Sequence, residues 1–246
     1  MIPEIVIEKL LKAKRVAVLT GAGISAESGV PTFRGEGGIW NKLKPEELAN
    51  FDAFMRNPKL VWEWYNMRKN LISDIKPNQG HYSLVELEKI YGSGFSLATQ
   101  NIDNLHIRAG SKNVFELHGN IERSYCINCR KYYHDMVIDE NKAVPYCQCG
   151  GIIRPDVVWF GENLPEEEIN LSVEAAKQSD FYFSIGTSGN VYPAAGLPGI
   201  AKRNGAFTLE INLERTLISD EFDITLTGKS GDILPEIVKL LREERT

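Results

Sequence analysis

Four cysteines stand in two close pairs, Cys126-Ile-Asn-Cys129 and Cys147-Gln-Cys149, with residues 130 to 146 between them. The first pair has the C-x-x-C spacing of a metal knuckle. The second is one residue shorter, which strains the usual turn but still lets two sulfurs reach one ion. Four thiolates around zinc form a closed site with no position left for water, so such a metal supports folding and not chemistry. His134 lies nearby as a further ligand that four sulfurs do not need.

Among His81, His106, His118 and His134, only His118 follows the end of an apolar run and precedes a glycine, Gly119. That setting lets a ligand approach closely, and a neutral imidazole there can take a proton from a hydroxyl near pH 7. Asn101 and Asp103, two apart after another apolar run, offer the donor and acceptor that an amide ligand needs. The same pair also suits an Asx-rich turn that only shapes its loop. Gly21 to Ala26 reads G-A-G-I-S-A, which fits a dinucleotide turn whose small residues let backbone amides approach a pyrophosphate. Gly29 and Pro31 then end any helix after barely one turn, whereas a dehydrogenase fingerprint opens a long one. The chain instead enters Pro31-Thr32-Phe33-Arg34-Gly35, a loop able to close over a ligand.

These groups need elements to hold them. The spacing predicts a helix over 3–13 and a buried strand from Val16 to Leu19. It then predicts a helix at 78–90, strands at 95–98 and 113–117, a helix at 166–178, a strand at 181–185, a helix at 193–203, a strand at 206–211 and a last helix at 231–243. Short apolar strands alternating with helices give an α/β fold, a Rossmann-like parallel sheet covered by helices on both faces. Residues 36–75 look all-helical and 122–151 are polar and carry the cysteines. Both are expected as insertions, a helical one and a zinc-binding module, leaving 1–35, 76–121 and 152–246 as the sheet domain.

The 246 residues carry a net charge of -5, so no global positive field draws the chain onto nucleic acid or anionic lipid. Charged residues interrupt the first twenty positions, and nowhere do eighteen apolar residues run together. With cysteines spaced for a metal, a cytoplasmic protein without membrane or nucleic-acid partners is expected.

Six motifs resemble the sirtuins in order and spacing: G-A-G-I-S-A-E-S-G-V-P-T-F-R-G at 21–35, T-Q-N-I-D at 99–103, L-H-G at 117–119, V-V-W-F-G-E at 157–162, G-T-S at 186–188 and V-Y-P-A-A at 191–195, with N-L-E following at 212–214. The resemblance implies NAD consumed as a co-substrate beside one structural zinc on Cys126, Cys129, Cys147 and Cys149. Gly21, Ala22, Gly23, Ile24, Glu27, Phe33, Arg34 and Trp40 would belong to the NAD segment, Phe33 near the scissile bond and Arg34 near phosphate. For Glu27 and Trp40 the residues themselves suggest only packing. Gln100, Asn101, Ile102 and Asp103 would hold the nicotinamide ribose and carboxamide. Gly186, Thr187, Ser188, Asn212, Leu213 and Glu214 would take phosphate and the adenine ribose, and Ser230 would fall near the adenine. The implied reaction begins when an acyl-lysine amide oxygen attacks the ribose C1′ and nicotinamide departs. His118, with Asn101 as the other catalytic residue, then activates a ribose hydroxyl that attacks the resulting imidate. Free lysine, nicotinamide and O-acyl-ADP-ribose result.

Tyr65 and Arg68, at i and i+3 in V-W-E-W-Y-N-M-R, share a helix face and resemble the Y-x-x-R of the sirtuin branch that prefers succinyl, malonyl or glutaryl lysine. An arginine fork can grip a carboxylate bidentately while the phenol donates a third bond. An amphipathic helix with a solvated arginine would look the same. Acylated-lysine proteins are the implied partners, their backbone adding a strand between Gly161–Leu164, with Glu162 among them, and Gly189–Tyr192, with Asn190 and Val191. Val158 and Phe160 would line the lysine tunnel. The chain is expected to act as a monomer. A plain deacetylase, a protein ADP-ribosyltransferase on the same site, and a non-catalytic NAD sensor are the competing expectations.

Overall fold

The computed structural model describes residues 2–32, 48–134, 136 and 144–245. Its helices are α1 (Glu4–Lys12), α2 (Ala22–Ala26), α3 (Phe51–Arg56), α4 (Pro58–Ser73), α5 (Gln79–Tyr91), α6 (Leu105–Ala109), α7 (Glu166–Gln178), α8 (Leu197–Arg203) and α9 (Ser230–Glu243). Its strands are β1 (Val16–Thr20), β2 (Phe95–Thr99), β3 (Val114–Glu116), β4 (Gly119–Cys126), β5 (Tyr132–His134), β6 (Ile153–Val157), β7 (Phe181–Ile185), β8 (Phe207–Asn212) and β9 (Ile224–Thr227).

Six strands form a parallel sheet in the order β3-β2-β1-β7-β8-β9. Successive side chains point to opposite faces, and here both faces are covered, so the central strands β1 and β7 are buried along their whole length. From β1, Val16 and Val18 enter one core with Phe95, Phe181, Phe183, Leu84 and Leu234 beneath α1, α5 and α9. Ala17 and Leu19 enter the other, with Tyr182, Leu197 and Ala201 beneath α7 and α8. The strand order reverses between β1 and β7. Ligands of open α/β sheets bind outside the carboxyl ends of the strands at such a switch point.

The second sheet, β5-β4-β6, is antiparallel. It begins at Gly119 and ends at Val157, wider than the expected 122–151, because β6 pairs with β4 through Cys126↔Ile153 and Gly119↔Val157 and does not return to the large sheet. This small sheet and helices α3 and α4 are not separate insertions. Phe54, Trp62, Trp64 and Tyr65 share one core with Cys126, Cys147, Ile153 and Trp159, and the Trp62 indole donates to the Ile153 carbonyl over 2.9 Å. Two segments distant in sequence thus make one small body beside the switch point. No described helix is long and apolar enough to cross a membrane.

Candidate active site

A cavity of about 1060 Å³ lies between the carboxyl ends of β1 and β7 and the small body. Two turns close its floor. Gly21 N donates to Ile185 O over 2.9 Å and Gly23 N to Gly186 O over 2.8 Å. A Cβ on Gly23 would stand 2.6 Å from the Gly186 Cα, and one on Gly186, whose φ is +60°, would stand 2.5 Å from Ile24 N. These glycines therefore serve first to let two backbone turns touch, which leaves the turn after β1 open on its cavity side.

Gln100 to Asp103 leave the end of β2 beside that turn. The Gln100 amide donates to Thr187 Oγ1 over 2.9 Å. Asn101 is buried, and its Nδ2 donates to Gly21 O over 3.0 Å and to Ser25 Oγ over 3.1 Å. Asp103 is also buried and accepts from Leu105 N over 3.0 Å. Burial raises its carboxyl pKa against the pull of that amide, the Ser25 hydroxyl and the Arg68 guanidinium. Behind Ser25 lies His81, whose Nδ1 accepts from Asn78 N over 3.3 Å, so its Nε2 carries the proton and donates to Ser25 Oγ over 3.4 Å. Burial drops the His81 pKa to about 4, which keeps it neutral. Ser25 is thus the hub of a buried network that fixes Asn101 and Asp103.

His118 stands between β3 and β4, with Nδ1 2.9 Å from the Gln100 carbonyl oxygen. A carbonyl only accepts, so Nδ1 holds the proton and Nε2 keeps its lone pair. Burial lowers the pKa of this imidazole, opposed by the bond to Gln100, so the neutral base form prevails near pH 7. Gly119 does not serve ligand approach as its position after His118 suggested. Its missing side chain admits the β6 backbone, since a Cβ would meet Asp156 O at 2.2 Å.

Tyr65 lies at the cavity wall, and its hydroxyl accepts from Trp159 Nε1 over 2.8 Å. Arg68 is buried one turn further along α4, its guanidinium carbon 5.2 Å from the Trp64 ring centroid, and it does not line the cavity. Burial lowers the Arg68 pKa, opposed by its electrostatic interactions with Tyr65 and Asp103.

The four cysteine sulfurs all lie within 4.8 Å of one another. Cys126 and Cys149 are 3.5 Å apart and Cys129 and Cys147 3.6 Å. Tetrahedral zinc with ~2.3 Å bonds separates its sulfurs by about 3.8 Å, so the cluster fits that ion despite the short second pair. The Tyr133 hydroxyl, 3.1 Å from Cys147 Sγ, supplies the outer hydrogen bond such thiolates attract.

The Sir2 family profile matches residues 21–193, a span containing the glycine turn, His118 and the cysteine cluster. The chain belongs to the Sir2 family. It is 49% identical over 237 residues to NAD-dependent protein deacylase 2 of Pyrobaculum aerophilum, covering 95% of this chain and 94% of that protein. It is 48% identical over 230 residues to the NAD-dependent protein deacylase of Aquifex aeolicus, covering 93% and 96%. Among solved structures, a Sir2 homolog–NAD complex superposes with a TM-score of 0.93 at 39% identity, covering all of this chain and 96% of that one. A Sir2–p53 peptide–NAD+ complex superposes at 0.87 and 32% identity, covering both chains in full.

Most residues expected to form the site of this Sir2 protein do line the cavity: Gly21, Ala22, Gly23, Gln100, Asn101, Ile102, His118, Gly186, Thr187, Ser188, Asn212, Leu213, Glu214, Tyr65, Val158, Phe160, Gly161, Glu162, Asn190 and Val191. Ile24 and Asp103 are buried just behind it. Glu27 and Ser230 are not at the lining, and bond each other instead. The Glu27 carboxylate accepts from Ser230 Oγ over 2.6 Å and from Gly231 N over 3.1 Å, capping the orphan amides of α9. Phe33, Arg34 and Trp40 lie outside the described residues. The sequence reading missed Trp64 and the run Arg215–Leu217, which line the cavity, and Ser25, which organises it. Ser25 sits inside the G-A-G-I-S-A motif, and Arg215 directly follows N-L-E, so adjacency to a motif was the available signal.

Proposed function

We propose that this Sir2 protein is an NAD-dependent protein-lysine deacylase with His118 as its base. The observation that carries this is the bond from His118 Nδ1 to the Gln100 carbonyl, which fixes a neutral tautomer with a free Nε2 at the cavity wall. A sensor has no use for such a base. NAD, when bound, supplies an electrophilic ribose carbon and a departing nicotinamide. The chain's own residues do the rest. The turn from Gly21 and the amides near Gly186 accommodate phosphate. Asn101, fixed through Ser25 with Asp103 buried behind it, would face the ribose and carboxamide end. His118 Nε2 takes a proton from a ribose hydroxyl. The acyl-lysine backbone lies as an added strand between Gly161–Leu164 and Gly189–Tyr192, its side chain passing Val158 and Phe160. The expected products are free lysine, nicotinamide and O-acyl-ADP-ribose.

For the acyl group, Tyr65 and Arg68 support an acid-bearing chain such as succinyl or malonyl. Tyr65 already accepts a bond from Trp159, so its own proton is left to donate to an acyl oxygen. Plain deacetylation is favoured by one observation, that Arg68 lies behind the cavity wall with the Asp103 charge acting on it. Rates on matched succinyl-lysine and acetyl-lysine peptides decide between them. A faster succinyl reaction supports the Tyr65 and Arg68 reading, and a faster acetyl reaction assigns those residues to packing.

A further inference from the structure

Glu162 lines the cleft where the acyl-lysine backbone is placed, yet its carboxylate is saturated from within the protein. Oε1 bonds Arg154 Nη1. Oε2 accepts from Arg154 Nη2 over 2.9 Å and from Trp159 N over 2.8 Å. Arg154 is only 2% exposed although it carries a full charge. Its Nη2 also donates to Val157 O over 2.8 Å, and its guanidinium carbon lies 3.4 Å from the Trp159 ring centroid and 5.3 Å from that of Tyr125. A buried arginine is tolerated only where its hydrogen bonds and charge are met, and here every partner but Tyr125, the Phe51 ring at 6.0 Å and its own neighbour Pro155 belongs to the segment 157–162.

Past Val157, where β6 ends, that segment is a cleft edge without regular structure. Val158 N bonds His118 O over 3.0 Å, Phe160 N bonds Ala49 O over 2.9 Å, and Gly161 turns at φ +88°. Trp159 carries the connection onward, since its indole N–H bonds the Tyr65 hydroxyl at the acyl end of the cavity. On the other side Arg154 sits on β6 opposite Tyr125, one residue from the Cys126↔Ile153 pair of the cysteine module.

We propose that Arg154 is a positioning residue for the acyl-lysine peptide, holding the 157–162 edge through Glu162 and Trp159 and joining it to Tyr65. Glu162 is then a latch and not a peptide ligand. This rests on the deacylase reading of the cleft. None of these bonds involves the turns at Gly21 and Gly186 that would receive NAD, so the clamp should act on peptide affinity alone.

The test measures dissociation constants of the full-length protein for a fluorescein-labelled acetyl-lysine peptide and, separately, for NAD. It compares wild type with Arg154→Lys, Glu162→Gln, the double variant and Trp159→Phe. Arg154→Lys keeps the charge but loses the fork and the stacking, and Glu162→Gln keeps the shape but loses the charge. Arg154→Lys and Glu162→Gln should each weaken peptide binding by about ten-fold or more, with NAD affinity unchanged, because small displacements of a positioning segment cost that much. The double variant should bind no worse than the weaker single one, since both remove the same contact. Trp159→Phe keeps the ring under Arg154 and should weaken the peptide less. Peptide affinity unchanged in Glu162→Gln and Arg154→Lys overturns the proposal, as does a parallel loss toward NAD. Wild-type protein that binds the peptide but does not deacylate it defeats the deacylase reading and leaves the clamp standing. No peptide binding by wild type overturns both.

Discussion

His118 donates from Nδ1 to the Gln100 carbonyl oxygen over 2.9 Å, so the loop that follows β2 dictates which nitrogen of the base is free. The Gln100 side chain in turn donates to Thr187 after β7. The base, the Asn101 loop and the β7 turn are therefore set by one residue.

Replacing His118 with Ala should lower kcat by about 10²- to 10⁴-fold, the usual contribution of a general base, while NAD binding persists. Because burial lowers its pKa below the ordinary 6.5, the neutral base survives acidification that would protonate a solvated histidine. The acid limb of the kcat–pH profile should thus fall below pH 6.5 in wild type. An acid limb above that value would place the controlling group elsewhere.

Acid should also destabilise the fold through His81. Its pKa drops from 6.5 to about 4 on folding, so between those values the unfolded chain binds more protons. The stabilisation is fully present above pH 6.5 and is lost as pH falls toward 4, amounting to roughly 3 kcal/mol. His106, pushed down in the same way beside it, steepens the loss. Urea midpoints measured from pH 7 to pH 4 should fall in wild type and fall less in His81→Gln.

Gly186→Ala should be among the most damaging small substitutions. The new Cβ meets Ile24 N at 2.5 Å and Gly23 backbone at 2.8 Å, at a φ of +60°. A loss of about 3 kcal/mol or more is expected, together with loss of NAD affinity as the two turns part. Thermal melting and calorimetric titration with NAD check both.

Chelation of the metal should unfold the small body before the large sheet. Cys126 and Cys147 share one core with Trp62, Trp64 and Trp159, so tryptophan fluorescence should report the change. Deacylation should fall with it and return when zinc is restored. Fluorescence and activity unaffected by chelation would remove the metal's structural role.

Arg68→Met should reduce desuccinylation more than deacetylation, by about ten-fold in the ratio, if the guanidinium meets an acyl carboxylate. Equal losses on both peptides would assign Arg68 to the fold through Asp103.

The large sheet was legible because its strands are buried on both faces. Phe181–Ile185 and Glu166–Gln178 fall where the sequence placed them. No strand was expected at Ile153–Val157, whose residues were assigned to the sheet domain, since Arg154 and Pro155 interrupt any apolar pattern and the arginine is buried only by partners that the fold supplies. Leu105–Ala109 and Ile224–Thr227 were too short to stand out. The motifs located the site residues, but not why they are there. Glu27 caps a helix 203 positions away, and Ser25 bonds Asn101 and His81 across gaps of 76 and 56 that no local spacing encodes. The reach of Arg68 was likewise hidden, because helical spacing gives the face of α4 but not the depth of the wall in front of it.

The most direct test of NAD-dependent deacylation by His118 is mass spectrometry of acetyl-lysine and succinyl-lysine peptides incubated with wild type and His118→Ala, with and without NAD. The expected result is loss of acyl mass only with wild type and NAD, accompanied by O-acyl-ADP-ribose. Acyl loss without NAD, undiminished loss in His118→Ala, or no loss from either peptide would contradict it.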